Sequence, residues 1–120
     1  MNKYLIAASL LLFIIQGCKK DKSSEVDVSN FPSEVGKILN TKCSISGCHN
    51  EKSKGAAGGL AMETWEQLFQ GGTGGSVVIP YRPDQSWFMY YINTDTNRGV
   101  ALTPTMPFNA PALTDAEYYT

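Results

Sequence analysis

The sequence predicts a mainly α protein, a small helical domain whose short helices are joined by long, ordered loops. Two observations point to helices and one to loops. Val35, Ile38 and Leu39, and again Trp65, Leu68 and Phe69, fall at i, i+3 and i+4, which lays an apolar stripe along one face of a helix. Thr114-Asp115-Ala116-Glu117 has the form of a capping box, in which hydroxyl and carboxylate each bond a free amide of the first turn. Eleven glycines and six prolines in 120 residues leave much of the rest to loops.

This length supports one core at most. With 42% hydrophobic and 18% charged residues, the composition is neither that of a disordered chain nor that of a membrane bundle. A net charge of −1 argues against a nucleic-acid partner, which requires clustered Lys and Arg.

Residues 1–18 read as an export signal. Lys3 supplies the positive start, Leu5 to Ile15 an apolar run of about eleven residues, and Ile15-Gln16-Gly17-Cys18 a lipoprotein cleavage box. That run is shorter than the roughly 20 apolar residues a spanning helix needs, so Cys18 is expected to become a lipid-carrying N-terminus. Residues 19–30 are polar and charged, and read as a flexible tether. The folded domain is expected over residues 31–120.

Pro32 and Glu34 suit the first turn of a helix, the one lacking an amide proton and the other facing the positive end of the dipole. This helix delivers the chain to Cys43. Residues 50–59 are rich in Lys, Ser, Gly and Ala, a surface loop by composition. A second short helix over Thr64 to Phe69 ends at the glycine run 71–75. That run lacks the following Lys of a phosphate-binding loop and reads as a turn. Ser76 to Ile79 is extended and stops at Pro80. A third helix is expected from Asp84 to Asn93, capped by Asp84 or Ser86, with its aromatic face (Trp87, Tyr90, Tyr91) serving as core or as the wall of a crevice. Residues 94–111 form a long loop in which Pro104 and Pro107 stiffen the backbone around Met106. The last capping box begins only one turn before Thr120, so a terminal helix is expected to be cut short.

The chemistry lies in Cys43-Ser44-Ile45-Ser46-Gly47-Cys48-His49. Two cysteines with a histidine immediately after the second are the pattern of covalent haem attachment: the thiols add to the vinyl groups and the imidazole binds iron. Here four residues separate the cysteines instead of the usual two. With its surroundings this stretch resembles the c-type cytochromes, in particular single-haem domains of bacterial exported lipoproteins. The residues that carry the likeness are Val35, Ile38 and Leu39, Gly58-Gly59-Leu60, Ile79-Pro80 through Pro83-Asp84-Gln85-Ser86, Met106-Pro107 and Leu113 to Glu117.

The resemblance implies a cytochrome c-like helical domain around one haem c, attached through Cys43 and Cys48. Its iron would be held by His49 and Met106. A soft thioether opposite an imidazole raises the reduction potential and fills both axial positions, which implies a single-electron carrier and not an enzyme. The implied setting is a lipid-anchored protein of the cell envelope, facing the periplasm or cell surface, with redox proteins as partners and the membrane reached through the anchor. Met62 and Met89 read as packing residues. Arg82 is a candidate for a haem propionate, and Lys42, Lys52 and Lys54 either steer an acidic partner or are simply solvated.

Other readings of the same residues stand beside this one. A Cys43–Cys48 disulfide would make a haem-free surface lipoprotein acting as an interaction module. A zinc site would need both cysteines, the lone histidine and a distant carboxylate. A third reading makes the chain the electron-entry part of a larger redox enzyme.

Overall fold

The structure is a computed structural model and describes residues 29–120. The export signal with Cys18, and the expected tether as far as residue 28, lie outside the described residues. Four α-helices occur among the described residues: α1 (Ser33–Ile38), α2 (Trp65–Gln70), α3 (Trp87–Ile92) and α4 (Asp115–Tyr118). Leu39–Cys43 continues α1 as a π-helical turn, and 3-10 turns stand at Lys54–Ala56, Pro83–Gln85 and Thr96–Arg98. The described residues contain no strand, only an isolated bridge between Gly72 and Gly75. The domain is mainly α, as the apolar spacing predicts.

α1 starts after Pro32 without a side-chain cap, and its Glu34 and Lys37 complement the two ends of its dipole. Its stripe divides. Leu39 is buried at 2% exposure and Val35 packs on the core, whereas Ile38 lines a groove of about 240 Å³ with Ala116 and Glu117 of α4. The core is Phe31, Leu39, Leu60, Met62 and Leu68, with Cys43, Val77, Val78 and Phe88 packed around it. These residues come from several separate stretches, so the long loops are fastened by what they bury.

α2 carries a capping box that the apolar spacing does not announce: Thr64 Oγ1 accepts from the Gln67 amide, and Gln67 Oε1 accepts from the Thr64 amide. Leu68 is its buried residue, and Gly71 ends it at φ +78°.

The helix expected over Asp84 to Asn93 is divided. Ser86 sits in extended backbone between the 3-10 turn and α3 and makes no cap. Its hydroxyl donates to the Arg82 carbonyl at 2.8 Å and accepts from the Ile79 amide at 2.9 Å, so it closes the Ile79–Ser86 loop instead. Asp84 does not cap either, because its carboxylate is taken by Arg82 in a two-bond ion pair. The aromatic face of α3 is not core. Trp87 is 53% exposed and its ring lies 6.4 Å from Tyr91 and 6.3 Å from Tyr90, while Phe88 and Ile92 turn inward.

A short helix leaves its last carbonyls without intrahelical partners, and in α3 the long loop supplies them. The Leu102 amide donates to Tyr90 O at 3.0 Å and the Met106 amide to Tyr91 O at 2.8 Å. Asn93, 1% exposed, holds the loop's first half by donating to the carbonyls of Gly99 and Val100 and accepting from the Asp95 amide.

The expected capping box of α4 is present, with the Glu117 amide on Thr114 Oγ1 and the Thr114 amide on Glu117 Oε2. The same carboxylate meets Lys42 of the π turn at 2.7 Å, tying the continuation of α1 to α4. The Lys42 contact, then the Thr114 amide, hold the Glu117 carboxyl down to about 2 from its ordinary 4.5. A depressed carboxyl contributes stability above its unfolded value that is lost as pH falls through the folded one. The stability of the domain should therefore decline from pH 4.5 toward pH 2, and Glu117→Gln should flatten that stretch of the curve in denaturant titrations at stepped pH. Salt should shrink the difference, since the pair is partly exposed.

Candidate functional site

The π turn brings Cys43 to the edge of the core, and four residues then separate it from Cys48. A turn absorbs them. The Cys48 amide donates to Ile45 O at 3.0 Å, with Gly47 in the turn's third position at φ +83°, a conformation that favours glycine. Ser53 Oγ accepts from the Gly47 amide at 3.0 Å. The turn folds the inserted residues outward, and the His49 amide reaches back to Cys43 O at 2.9 Å. The wide spacing thus ends with His49 hydrogen-bonded directly to the backbone of Cys43.

His49 is half-buried, and its ring is oriented from outside the loop. Nδ1 lies 3.1 Å from Leu60 O, so Nδ1 carries the proton donated to that carbonyl, and in the neutral ring Nε2 then carries the lone pair. Beside it, the Met62 amide donates to His49 O at 2.8 Å, and the Glu51 amide donates to Glu63 Oε2 at 2.8 Å. Residues 60–63 therefore run as a splint along residues 49–51.

Both Cys43 and Cys48 are free thiols. Burial, then the neighbouring Cys48, push the Cys43 thiol up to about 11 against the pull of Lys42, so it is protonated at neutral pH. The described residues gather no group of three or more His, Cys, Asp and Glu side chains as a metal centre, and the zinc reading gains no support.

The three methionines of the described residues part company. Met62 is buried in the core at 5% exposure, and Met89 lines an apolar cavity of about 590 Å³ with Trp65, Phe69 and Phe88. Met106 is half-buried in the loop, carried by its amide's bond to the end of α3. The structure links Cys43, Cys48 and His49 in one hydrogen-bonded loop and sets Met106 on the separate α3 mount. None of these four lines the 590 Å³ cavity.

Arg82 has Asp84 as its carboxylate partner. Of the lysines near the motif, Lys42 is paired with Glu117 and Lys54 with Glu51, which weakens the reading of these lysines as a steering patch. Two contributors to the site lie outside the sequence expectations. The Leu60 carbonyl has no side-chain signature. The Glu63–Gln67 pair does have one, because Thr64 and Gln67 stand at the capping-box spacing.

A small helical domain with two thiols and an adjacent imidazole is an arrangement compatible with the cytochrome c class. A family model described as Planctomycete cytochrome C matches residues 46–107, more than half of the chain. The chain belongs to this cytochrome c family, whose general function is haem-based electron transfer. Cys48, His49 and Met106 fall inside the match, and Cys43 lies just before it. Comparison with curated proteins and with solved structures gave no match.

The turn makes a graded prediction. A Cβ at Gly47 meets nothing within 4 Å, so Gly47→Ala should cost only the strain of a left-handed alanine, about 1 kcal/mol. A Cβ at Gly72 would lie 2.4 Å from Gly58 O, so Gly72→Ala must move backbone and should cost more. Unfolding midpoints in denaturant will rank the two.

Proposed function

We propose that this protein is a single-electron carrier with one haem c, bound covalently through Cys43 and Cys48 and ligated by His49 and Met106. The observation that carries the reading is the placement of His49: Nδ1 lies 3.1 Å from Leu60 O, which would leave Nε2 as the nitrogen offered to iron. A histidine whose second nitrogen is anchored to a backbone carbonyl has its tautomer and ring plane fixed before metal arrives.

The donor set fits the group. Two free thiols stand within the loop that the His49 amide closes, and the imidazole is a nitrogen ligand well suited to iron. Met62 is buried in the core and Met89 lines the apolar cavity with Trp65 and Phe69; Met106, held by its amide's bond to the end of α3, is the thioether that would serve as the second protein ligand. When bound, haem supplies reversible one-electron change at iron. The chain's own part would be to hold the His49 imidazole through Leu60 O and to present the Met106 thioether from a loop fastened to α3. The half-exposed face of Trp87, Tyr90 and Tyr91 beside that mount would offer apolar surface to the macrocycle.

The envelope setting belongs to the same proposal. The export signal with Cys18 would anchor the protein by lipid, residues 19–30 would give it reach from the membrane, and redox proteins would exchange electrons with it.

The test is a reduced-minus-oxidised absorption spectrum and a denaturing-gel haem stain, on protein exported from a host with cytochrome c maturation machinery. Covalent haem is expected, and Cys43→Ala with Cys48→Ala should abolish it. A haem-free product in that host would overturn the reading. Met106→Ala should lower the reduction potential while leaving haem attached; an unchanged potential with an unchanged sulfur-to-iron absorption band would remove Met106 from the ligand set.

A further inference from the structure

The geometry points to Glu63 as a positioning residue for the His49 imidazole, acting through the backbone of residues 49–51. The inference deepens the haem reading and rests on it for its consequence at iron. Three contacts join the splint to the histidine segment: Leu60 O with His49 Nδ1 at 3.1 Å, the Met62 amide with His49 O at 2.8 Å, and Glu63 Oε2 with the Glu51 amide at 2.8 Å. Only the third is made by a side chain of the splint, and it is the charge-assisted one, the stronger class of hydrogen bond.

Glu63 is itself held in place. Its amide donates to Gln67 Oε1 at 3.1 Å, the oxygen that also completes the capping box of α2. α2 is fastened to the core by Leu68, 6% exposed. Gln67 Nε2 reaches on to Glu51 Oε2 at 3.3 Å, and Lys54 pairs with the other oxygen of Glu51. Glu51 is thus gripped at its amide by Glu63 and at its carboxylate by Gln67 and Lys54. The core holds α2, the start of α2 holds Glu63, and Glu63 sets where residues 49–51 lie against the Leu60 carbonyl. Removing the carboxylate frees the Glu51 amide and lets this segment shift away from the splint. The hydrogen bond at Nδ1 then lengthens. Groups hydrogen-bonded directly to a metal-ligating histidine are typically worth roughly 10–100-fold in metal affinity or activity; here that group is the Leu60 carbonyl, on which Glu63 acts at one remove.

His49 is the chain's only histidine, so its Nδ1 proton can be followed by proton NMR without ambiguity, with or without haem. The full-length exported protein is compared as wild type, Glu63→Ala, Glu63→Asp and Glu63→Gln. Glu66→Ala, which removes a carboxylate bonded to Asn30 instead, serves as the charge control. Solvent exchange of the Nδ1 proton should be faster in Glu63→Ala than in the wild type. It should also quicken in Glu63→Asp, which keeps the charge but falls short of the Glu51 amide. Glu63→Gln, which keeps an acceptor oxygen at full length but not the charge, should fall between the wild type and Glu63→Ala, and Glu66→Ala should leave the rate unchanged. The ferric electron paramagnetic resonance of the haem-loaded proteins should shift in the same order. Wild-type exchange in both Glu63→Ala and Glu63→Asp, or an effect of Glu63→Gln as large as that of Glu63→Ala, overturns the inference. The haem stain on the wild type judges the cofactor reading separately. If Glu63→Ala does not accumulate, Glu63→Asp against Glu63→Gln decides the matter alone.

Discussion

The hydrogen bond from the His49 amide to the Cys43 carbonyl is the constraint on which the site depends. It closes a loop whose sequence is longer than the pattern requires, and it does so at the residue that must be placed most accurately. Everything between the two cysteines is free to bulge so long as this closure holds. The bulge needs one residue in left-handed backbone, and Gly47 supplies it. Everything after the closure is set from outside, by residues 60–63 lying along 49–51. A motif that looks local in sequence is therefore finished by a segment eleven residues downstream.

The domain is stabilised by a small apolar core and a larger number of polar staples. Five buried side chains form the core, too few to immobilise some ninety residues by packing alone. Asn93, Ser86 and Gln67 compensate. Each is a polar side chain that satisfies two or more backbone groups of a loop, which removes the cost of leaving those groups unpaired. A bound macrocycle would add apolar contact that the side chains themselves do not supply, and the half-exposed aromatic face of α3 is consistent with that division.

The parts of the fold written in local residue pattern are legible. The stripes of α1 and α2 and the capping box of α4 need only i, i+3 and i+4 neighbours to be recognised, and each helix lies where its pattern puts it. The helix after Pro83 is divided although its pattern is continuous, because the fate of Ser86 is decided by Ile79 and Arg82, partners on a loop that folds back. No periodicity encodes that choice. The aromatic stripe of α3 is legible as a stripe but not as a half-exposed one, because burial depends on what packs opposite. In the site, the cysteines and histidine declare themselves by chemistry. The Leu60 carbonyl cannot, since every residue has one, and Glu63 reads as an ordinary surface acid until the 49–51 segment is laid beside it.

The π-helical turn at Leu39–Cys43 has an implication for how such a chain tolerates change in length. Its ladder contains an i→i−5 bond, from Ser44 to Leu39, one residue more than an α turn holds. Deleting a single residue there would restore the tighter ladder and swing the downstream chain by about 100° around the axis, taking Cys43 off the core edge where it rests. A few residues later, the outward loop between the cysteines has no core neighbour to lose. The two sides of Cys43 thus differ in kind: the helical side is fixed in phase, while the loop side can vary in length.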